Sequence, residues 1–216
     1  MKVCGLTNEA DAALAAGAGA DWLGIILWPG AKRAVPPSQA ASIAAAGRAA
    51  GAKAVVGVFV SEDAASIVAG CDAAGITTAQ LHGPGARAAL PHLPARLGVV
   101  YVLSVDSAGK PTCPTPAEAC AAAGAPLRVP DWVLVDGAVG GSGEAYDWGG
   151  VDPPTDQAAA GWLLAGGLGP ANVEAALQAL RPTGVDVSSG VCGPDGLAKD
   201  GDKVRAFVRA AKAVLV

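Results

Sequence analysis

Large side chains and charge are both scarce in this 216-residue chain: aromatic residues make up 4% and charged residues 16%, with two His and one Met. A hydrophobic content of 52% therefore rests largely on alanine, and a core built this way must pack small residues closely. Net charge is −4 and there are no long basic runs, which excludes general nucleic-acid binding, because that needs cations to displace phosphate counterions. The mean hydropathy of +0.41 comes without a membrane-length apolar run. The longest stretch without polar side chains, Ala158 to Ala171, falls short of the ~18 residues required and is broken by Pro and Gly. Five cysteines (Cys4, Cys71, Cys113, Cys120, Cys192) are an odd set without a Cys-x-x-Cys, so neither a disulfide framework nor a zinc cluster is expected, and an important thiol would act singly. Met1 to Asp11 holds no signal-peptide core, which leads us to expect a cytoplasmic chain, or a plastid one already trimmed of a transit peptide. The 30 Gly and 16 Pro stay below the ~25–30% typical of low complexity and show no collagen period. A small-molecule partner is expected, with neither nucleic acid nor membrane.

Eight short apolar runs recur along the chain: Val3–Leu6, Trp22–Leu27, Val55–Val60, Thr78–Leu81, Val99–Val105, Trp132–Val135, Trp162–Ala165 and Val185–Val187. They are nearly continuous in hydrophobicity, as parallel strands covered on both faces should be. Ala-rich stretches of helical period separate them, clearest at Val173, Ala176, Leu177, Leu180 and at Val204, Phe207, Val208, Ala211. Ser38 reads as the start of the second helix, Ser61-Glu62-Asp63 of the third, and Asn172 with Glu174 of the seventh. The fifth and sixth helices, near Ala117–Ala123 and Val151–Ala160, have room only to be short. Eight strand–helix units in this length predict an α/β protein, a single (β/α)₈ TIM barrel over residues 1–216. A doubly wound open sheet would want a Gly-rich turn after the first strand, and Cys4-Gly5-Leu6-Thr7 is not one.

In such a barrel the chemistry belongs at the C-terminal strand ends. Strand one delivers Cys4, readable as a nucleophile, as a general base once ionised, or as a small buried hydrophobe. Strand two runs into Lys32-Arg33, and Arg33 could clamp a carboxylate or phosphate or be solvated surface charge. Strand four ends in Gln80-Leu81-His82-Gly83; His82 reads equally as a site residue or a structural one, whereas His92, between prolines, reads as surface. Strand six delivers Asp136 ahead of a Gly-rich segment, which suits an acid or base beneath a covering loop, or a cap of that loop. Gly166-Gly167 after strand seven and Ser188-Ser189-Gly190 after strand eight together suggest a phosphate cradle, where glycines admit close backbone N–H groups and hydroxyls add donors.

Taken together, these strand ends resemble the phosphoribosylanthranilate isomerases of tryptophan biosynthesis. The matching segments are Lys2-Val3-Cys4-Gly5-Leu6-Thr7, Lys32-Arg33, Val56-Gly57-Val58-Phe59-Val60, Gln80-Leu81-His82-Gly83, Gly140-Gly141-Ser142-Gly143 with Asp147-Trp148, Leu164-Ala165-Gly166-Gly167-Leu168 with Pro170 and Asn172-Val173, and Val185 to Val191. They are in order and span essentially the whole chain. The resemblance implies a cofactor-free and metal-free Amadori rearrangement of N-(5-phosphoribosyl)anthranilate to 1-(o-carboxyphenylamino)-1-deoxyribulose 5-phosphate, with Asp136 as general acid and Cys4 as general base. For this chemistry at neutral pH, Asp136 should be raised by burial and Cys4 lowered. The resemblance also implies that Arg33 holds the anthranilate carboxylate and that backbone around Gly166, Gly167, Ser189 and Gly190, beside Ser188, holds the phosphate. His82 and Asp186 would lie near the substrate, Asp186 on a sugar hydroxyl, and Gly140–Gly143 would close over it.

The chain departs from the family in three places. Cys192 stands where a Glu usually follows Ser-Ser-Gly-Val, Tyr101-Val102 stand where strand five usually has a Lys, and the Pro-rich stretch Ser107–Pro116 has no counterpart. Two other readings are an aminoaldose isomerase of histidine biosynthesis, whose strand-one base would be Asp rather than Cys4, and a non-catalytic phosphate-ligand-binding barrel. Monomer and homodimer are both compatible with the sequence.

Overall fold

A strand covered on both faces buries every residue, and alternate side chains then serve two different cores. The computed structural model, which describes residues 1–137, 146–152 and 154–215, has eight such strands. They are β1 (Lys2–Val3), β2 (Trp22–Ile26), β3 (Ala54–Phe59), β4 (Thr78–Leu81), β5 (Gly98–Val105), β6 (Trp132–Gly137), β7 (Gly161–Leu164) and β8 (Gly184–Val187). All pair in parallel with their sequence neighbours, and β1 pairs with β8 to close the barrel. One parity, including Val55, Val99, Tyr101, Val133, Val135 and Leu164, joins the large core between barrel and helices. The other, Val56, Val100, Val102, Leu134, Leu163 and Ala165, packs inside the barrel. Trp22 and Trp132, the first residues of β2 and β6, meet edge to face at 5.1 Å against this inner cluster.

Among the described residues there are seven α-helices, α1 (Glu9–Gly17), α2 (Pro37–Ala49), α3 (Ala64–Ala73), α4 (Pro84–Ala88), α5 (Pro116–Ala122), α6 (Val173–Leu180) and α7 (Gly201–Lys212). Small faces let them lie close to the sheet. A Cβ on Gly47 of α2, for example, would stand 2.3 Å from the Leu23 side chain. Capping follows the sequence in part. Asp63 caps α3 by accepting from Ser66 N, and Thr115 with Glu118 forms a capping box that starts α5 where a short helix was expected. Ser38 does not cap α2. Pro36 precedes the helix and Pro37 opens it, because a proline's fixed φ and missing N–H suit the first turn. Among the described residues of Val151–Ala160 no α-helix forms and only a 3₁₀ turn at Trp148–Gly150 precedes them, so Asn172 stands before the sixth of the described helices and not a seventh.

The first strand is shorter than the expected Val3–Leu6. Cys4 N still bonds to Val187 O at 2.8 Å and Leu6 N to Gly24 O at 3.0 Å, but Gly5 between them has φ +72° and breaks the regular ladder. The Ser107–Pro116 stretch folds back along β5: Thr112 N bonds to Ser104 O, Asp106 N to Lys110 O, and the Tyr101 hydroxyl donates to Pro114 O at 2.7 Å. No helix among the described residues is long and apolar enough to cross a membrane.

Candidate active site

The inner parity changes chemistry toward the C-terminal ends of the strands. Valines and leucines give way to Cys4 after β1, Gln80 and His82 on and after β4, Ser104 on β5, Asp136 on β6, and Asp186 and Ser188 on and after β8, all lining one cavity of about 570 Å³. Ile26, Trp28, Val58 and Val60 make an apolar wall on the β2–β3 side. Of the residues singled out in the sequence, Cys4, Arg33, His82, Asp136, Asp186 and Ser188 are thus brought together. Gly166, Gly167, Ser189 and Gly190 lie beside this cavity and do not line it. The Gly140–Gly143 segment lies outside the described residues.

Asp136 is 8% exposed, and burial followed by repulsion from Asp186 pushes its carboxyl up to about 7, so near neutral pH it carries a proton much of the time. His82 Nε2 lies 3.6 Å from Asp136 Oδ2, while Nδ1 faces Gln80 Nε2 at 3.4 Å. Burial and the Lys2 and Arg87 cations push His82 down to about 4, leaving a neutral imidazole although 24% of its side chain is open. The Gln80 carbonyl oxygen is buried with no partner among the described residues.

Cys4 departs from expectation. Burial lifts its thiol above the ordinary range and Asp186 adds to the lift, while the Lys2 and Lys199 ammonium groups pull the other way without overcoming it. The expected lowering needed a net cationic surrounding, and the closed barrel desolvates the sulfur first. Gly24 of β2 makes room for this side chain, since a Cβ there would come within 2.5 Å of Sγ. The Ser188 hydroxyl donates to Cys4 O at 3.1 Å.

Arg33 is half-buried and reaches across to the segment after β8, donating from Nε to Gly196 O at 2.9 Å, and Lys32 Nζ bonds beside it to Asp195 O. The two glycine turns stand back to back: a Cβ on Gly190 would come within 2.0 Å of Leu168 O, so only glycine permits the approach. Gly166 and Gly167 have φ of +85° and +65°. Asn172 staples their loop, accepting from Gly169 N at 2.8 Å and donating to Gly167 O at 2.9 Å, in place of capping α6.

Two site residues were passed over in the sequence. Lys2 is wholly buried with Nζ 3.0 Å from Asp186 Oδ1, and its signal was a lysine heading an otherwise apolar strand. Arg87 enters the cavity from α4 and donates to His82 O and Val102 O. Nothing in its helical context marks it, yet it brings a cation to the end of β5, where the family's usual Lys is replaced by Tyr101-Val102. At the Cys192 departure, Lys199 Nζ contacts Cys192 Sγ at 3.4 Å and Ser188 O at 3.0 Å.

Fold and site together define a (β/α)₈-barrel enzyme whose buried ionisable side chains gather at the C-terminal mouth beside paired glycine turns. Comparison with known proteins narrows the class. The family model described as N-(5'phosphoribosyl)anthranilate (PRA) isomerase matches residues 1–210. N-(5'-phosphoribosyl)anthranilate isomerase 1, chloroplastic, of Arabidopsis thaliana is 44% identical over 99% of this chain and 75% of its own length. The isomerase of Chlamydia felis is 37% identical over 98% of this chain and 96% of its own. Among solved structures, the phosphoribosyl anthranilate isomerase of Thermotoga maritima superposes with a TM-score of 0.77 at 30% identity, covering 98% of both chains. A second, in complex with reduced 1-(o-carboxyphenylamino)-1-deoxyribulose 5-phosphate, gives 0.76 at 30% identity, covering 98% of this chain and 97% of that one. The chain belongs to the N-(5'-phosphoribosyl)anthranilate isomerase family of tryptophan biosynthesis, and is an isomerase.

Proposed function

We propose that the chain rearranges N-(5-phosphoribosyl)anthranilate to 1-(o-carboxyphenylamino)-1-deoxyribulose 5-phosphate with Asp136 as acid and Cys4 as base. The observation that carries this reading is a carboxyl near pKa 7 lining the same cavity as a single thiol. Asp136 gives its proton to the furanose ring oxygen as the C1–O bond breaks, and the amine nitrogen's lone pair forms a protonated imine. That cation acidifies the C2 hydrogen, which lessens the demand on the base. Cys4 as thiolate removes the C2 proton, and the C2–H electrons form the C1=C2 bond of an enolamine. The enol hydroxyl then loses its proton as C1 gains one, leaving the ketone. Since burial raises the thiol above its ordinary range, the reaction draws on a minor thiolate population.

In this reading Arg33 takes the anthranilate carboxylate, and the ring lies against the wall of Ile26, Val58 and Val60. Backbone N–H groups at Gly166, Gly167, Ser189 and Gly190 take the phosphate, with Ser188 between the cradle and the base, while His82 and Asp186 face the sugar. The ligand-bound relative named above carries a phosphorylated compound of this type. Residues 1–216 form one barrel domain that acts as a monomer or homodimer; a Thermotoga maritima relative is described as dimeric. The chain works in the cytoplasm or, like the Arabidopsis relatives named chloroplastic, in a plastid.

Cys4→Ala and Asp136→Asn should each lower kcat by orders of magnitude with an unchanged circular dichroism spectrum. An unimpaired Cys4→Ala enzyme removes the thiol from the mechanism. Growth of a tryptophan auxotroph lacking this isomerase tests the reaction itself, and failure with soluble protein present would revive the non-catalytic binding barrel.

A further inference from the structure

Lys2 lies two residues before Cys4, on the inward parity of β1, and is 0% exposed. A barrel interior normally fills such a layer with branched aliphatics, as this one does at Val56, Val100, Leu134 and Leu163. Burying an ammonium against a carboxylate seldom stabilises a fold more than apolar packing does. The 3.0 Å contact with Asp186 Oδ1 engages one of the three Lys2 N–H donors, and the Cys4 side chain follows two residues on along the same inward face, where the ammonium acts on it through space. Around the sulfur stand Lys2 on β1, Asp186 on β8 and Lys199 beyond it. Asp136 on β6 and His82 after β4 line the same cavity, and Arg33 comes in from the loop after β2. Three acidic groups, Cys4, Asp136 and Asp186, thus converge on one ammonium buried among them.

We propose that Lys2 is a positioning residue for the rearrangement, shared between Asp186 and Cys4, whose ammonium turns from the carboxylate toward the sulfur when Cys4 ionises and holds the thiolate facing the substrate. This rests on the reading of Cys4 as the base. When the thiolate takes the C2 proton, the sulfur becomes neutral and the ammonium returns to Asp186, so one fixed cation serves both halves of the cycle. Asp186 acts through Lys2, competing for it and restraining the ionisation of the thiol. The two neighbours therefore act on the sulfur with opposite sign.

The test is a pH titration of Cys4 by thiolate absorbance in the full chain, taken as the difference from Cys4→Ser, together with the pH profile of kcat/KM. Lys2→Met should raise the thiol's titration midpoint by about one pH unit or more, with the alkaline-rising limb of kcat/KM moving alongside. Lys2→Arg should stay near the wild-type midpoint, and Asp186→Asn should lower it. A Lys2→Met thiol that titrates where the wild type does overturns the proposal. Should Lys2→Met not fold, Asp186→Asn decides alone, because an unchanged or raised midpoint there also overturns it. Turnover of Cys4→Ser separates the two readings: an active variant removes Cys4 as base, whereas an inactive one combined with an unmoved Lys2→Met midpoint removes only the role of Lys2.

Discussion

Replacing Asp136 with Asn should make the protein more stable and less active, and the gain in stability should depend on pH. Burial moves this carboxyl from 3.8 to about 7. A carboxyl raised in the folded state favours folding fully below its unfolded value, and that contribution is lost as pH rises through the folded value. Asn mimics the protonated acid in shape and does not titrate. At pH 8 the wild type bears nearly the whole cost of holding the carboxylate in place, about 4 kcal/mol. Near pH 5.5 the linkage relation leaves about 2 kcal/mol, and below about pH 4 almost nothing. Urea unfolding of both proteins between pH 4 and pH 8 measures this, since other titrations largely cancel in the difference. Asp136→Asn should show a higher midpoint at pH 8, converging on the wild type at pH 4, with kcat lowered throughout. A stability difference independent of pH would refute the argument, because it would mean that Asp136 is not held protonated by its surroundings.

Gly24→Ala should lower kcat sharply while the barrel stays folded, because its Cβ would meet Cys4 Sγ at 2.5 Å and Cys4 Cα at 3.0 Å, so the thiol must move; steady-state kinetics and circular dichroism check it. Asn172→Ala removes two bonds to the Gly166–Gly169 turn, at 2.8 and 2.9 Å. Losing about 1–2 kcal/mol of loop order should raise KM roughly tenfold with kcat largely retained, and an unchanged KM would separate this turn from the phosphate.

Much of the barrel could be read directly from the chain, because a strand buried on both faces leaves a continuous apolar run, and Thr78–Leu81 is found where it was expected. Helix starts were legible where a side chain does the capping, as at Asp63, and not where proline geometry does it, as at Pro37. Cys4, Arg33, His82, Asp136, Asp186 and Ser188 could be picked out because strand ends are marked by where apolar runs stop, and they do share a cavity. What order along the chain cannot convey is what stands across the barrel. Lys2 reads as the polar edge of a strand until closure sets it in register with Asp186 and removes it from water. Nothing in the sequence marks Arg87, and only the packing of α4 against β5 brings its guanidinium to Val102 O. Composition and period determine local structure and which residues are inward candidates, since these depend on neighbours a few positions away. The proton affinities of Cys4 and Asp136 depend on desolvation and on charges brought from distant strands, and only barrel closure decides those.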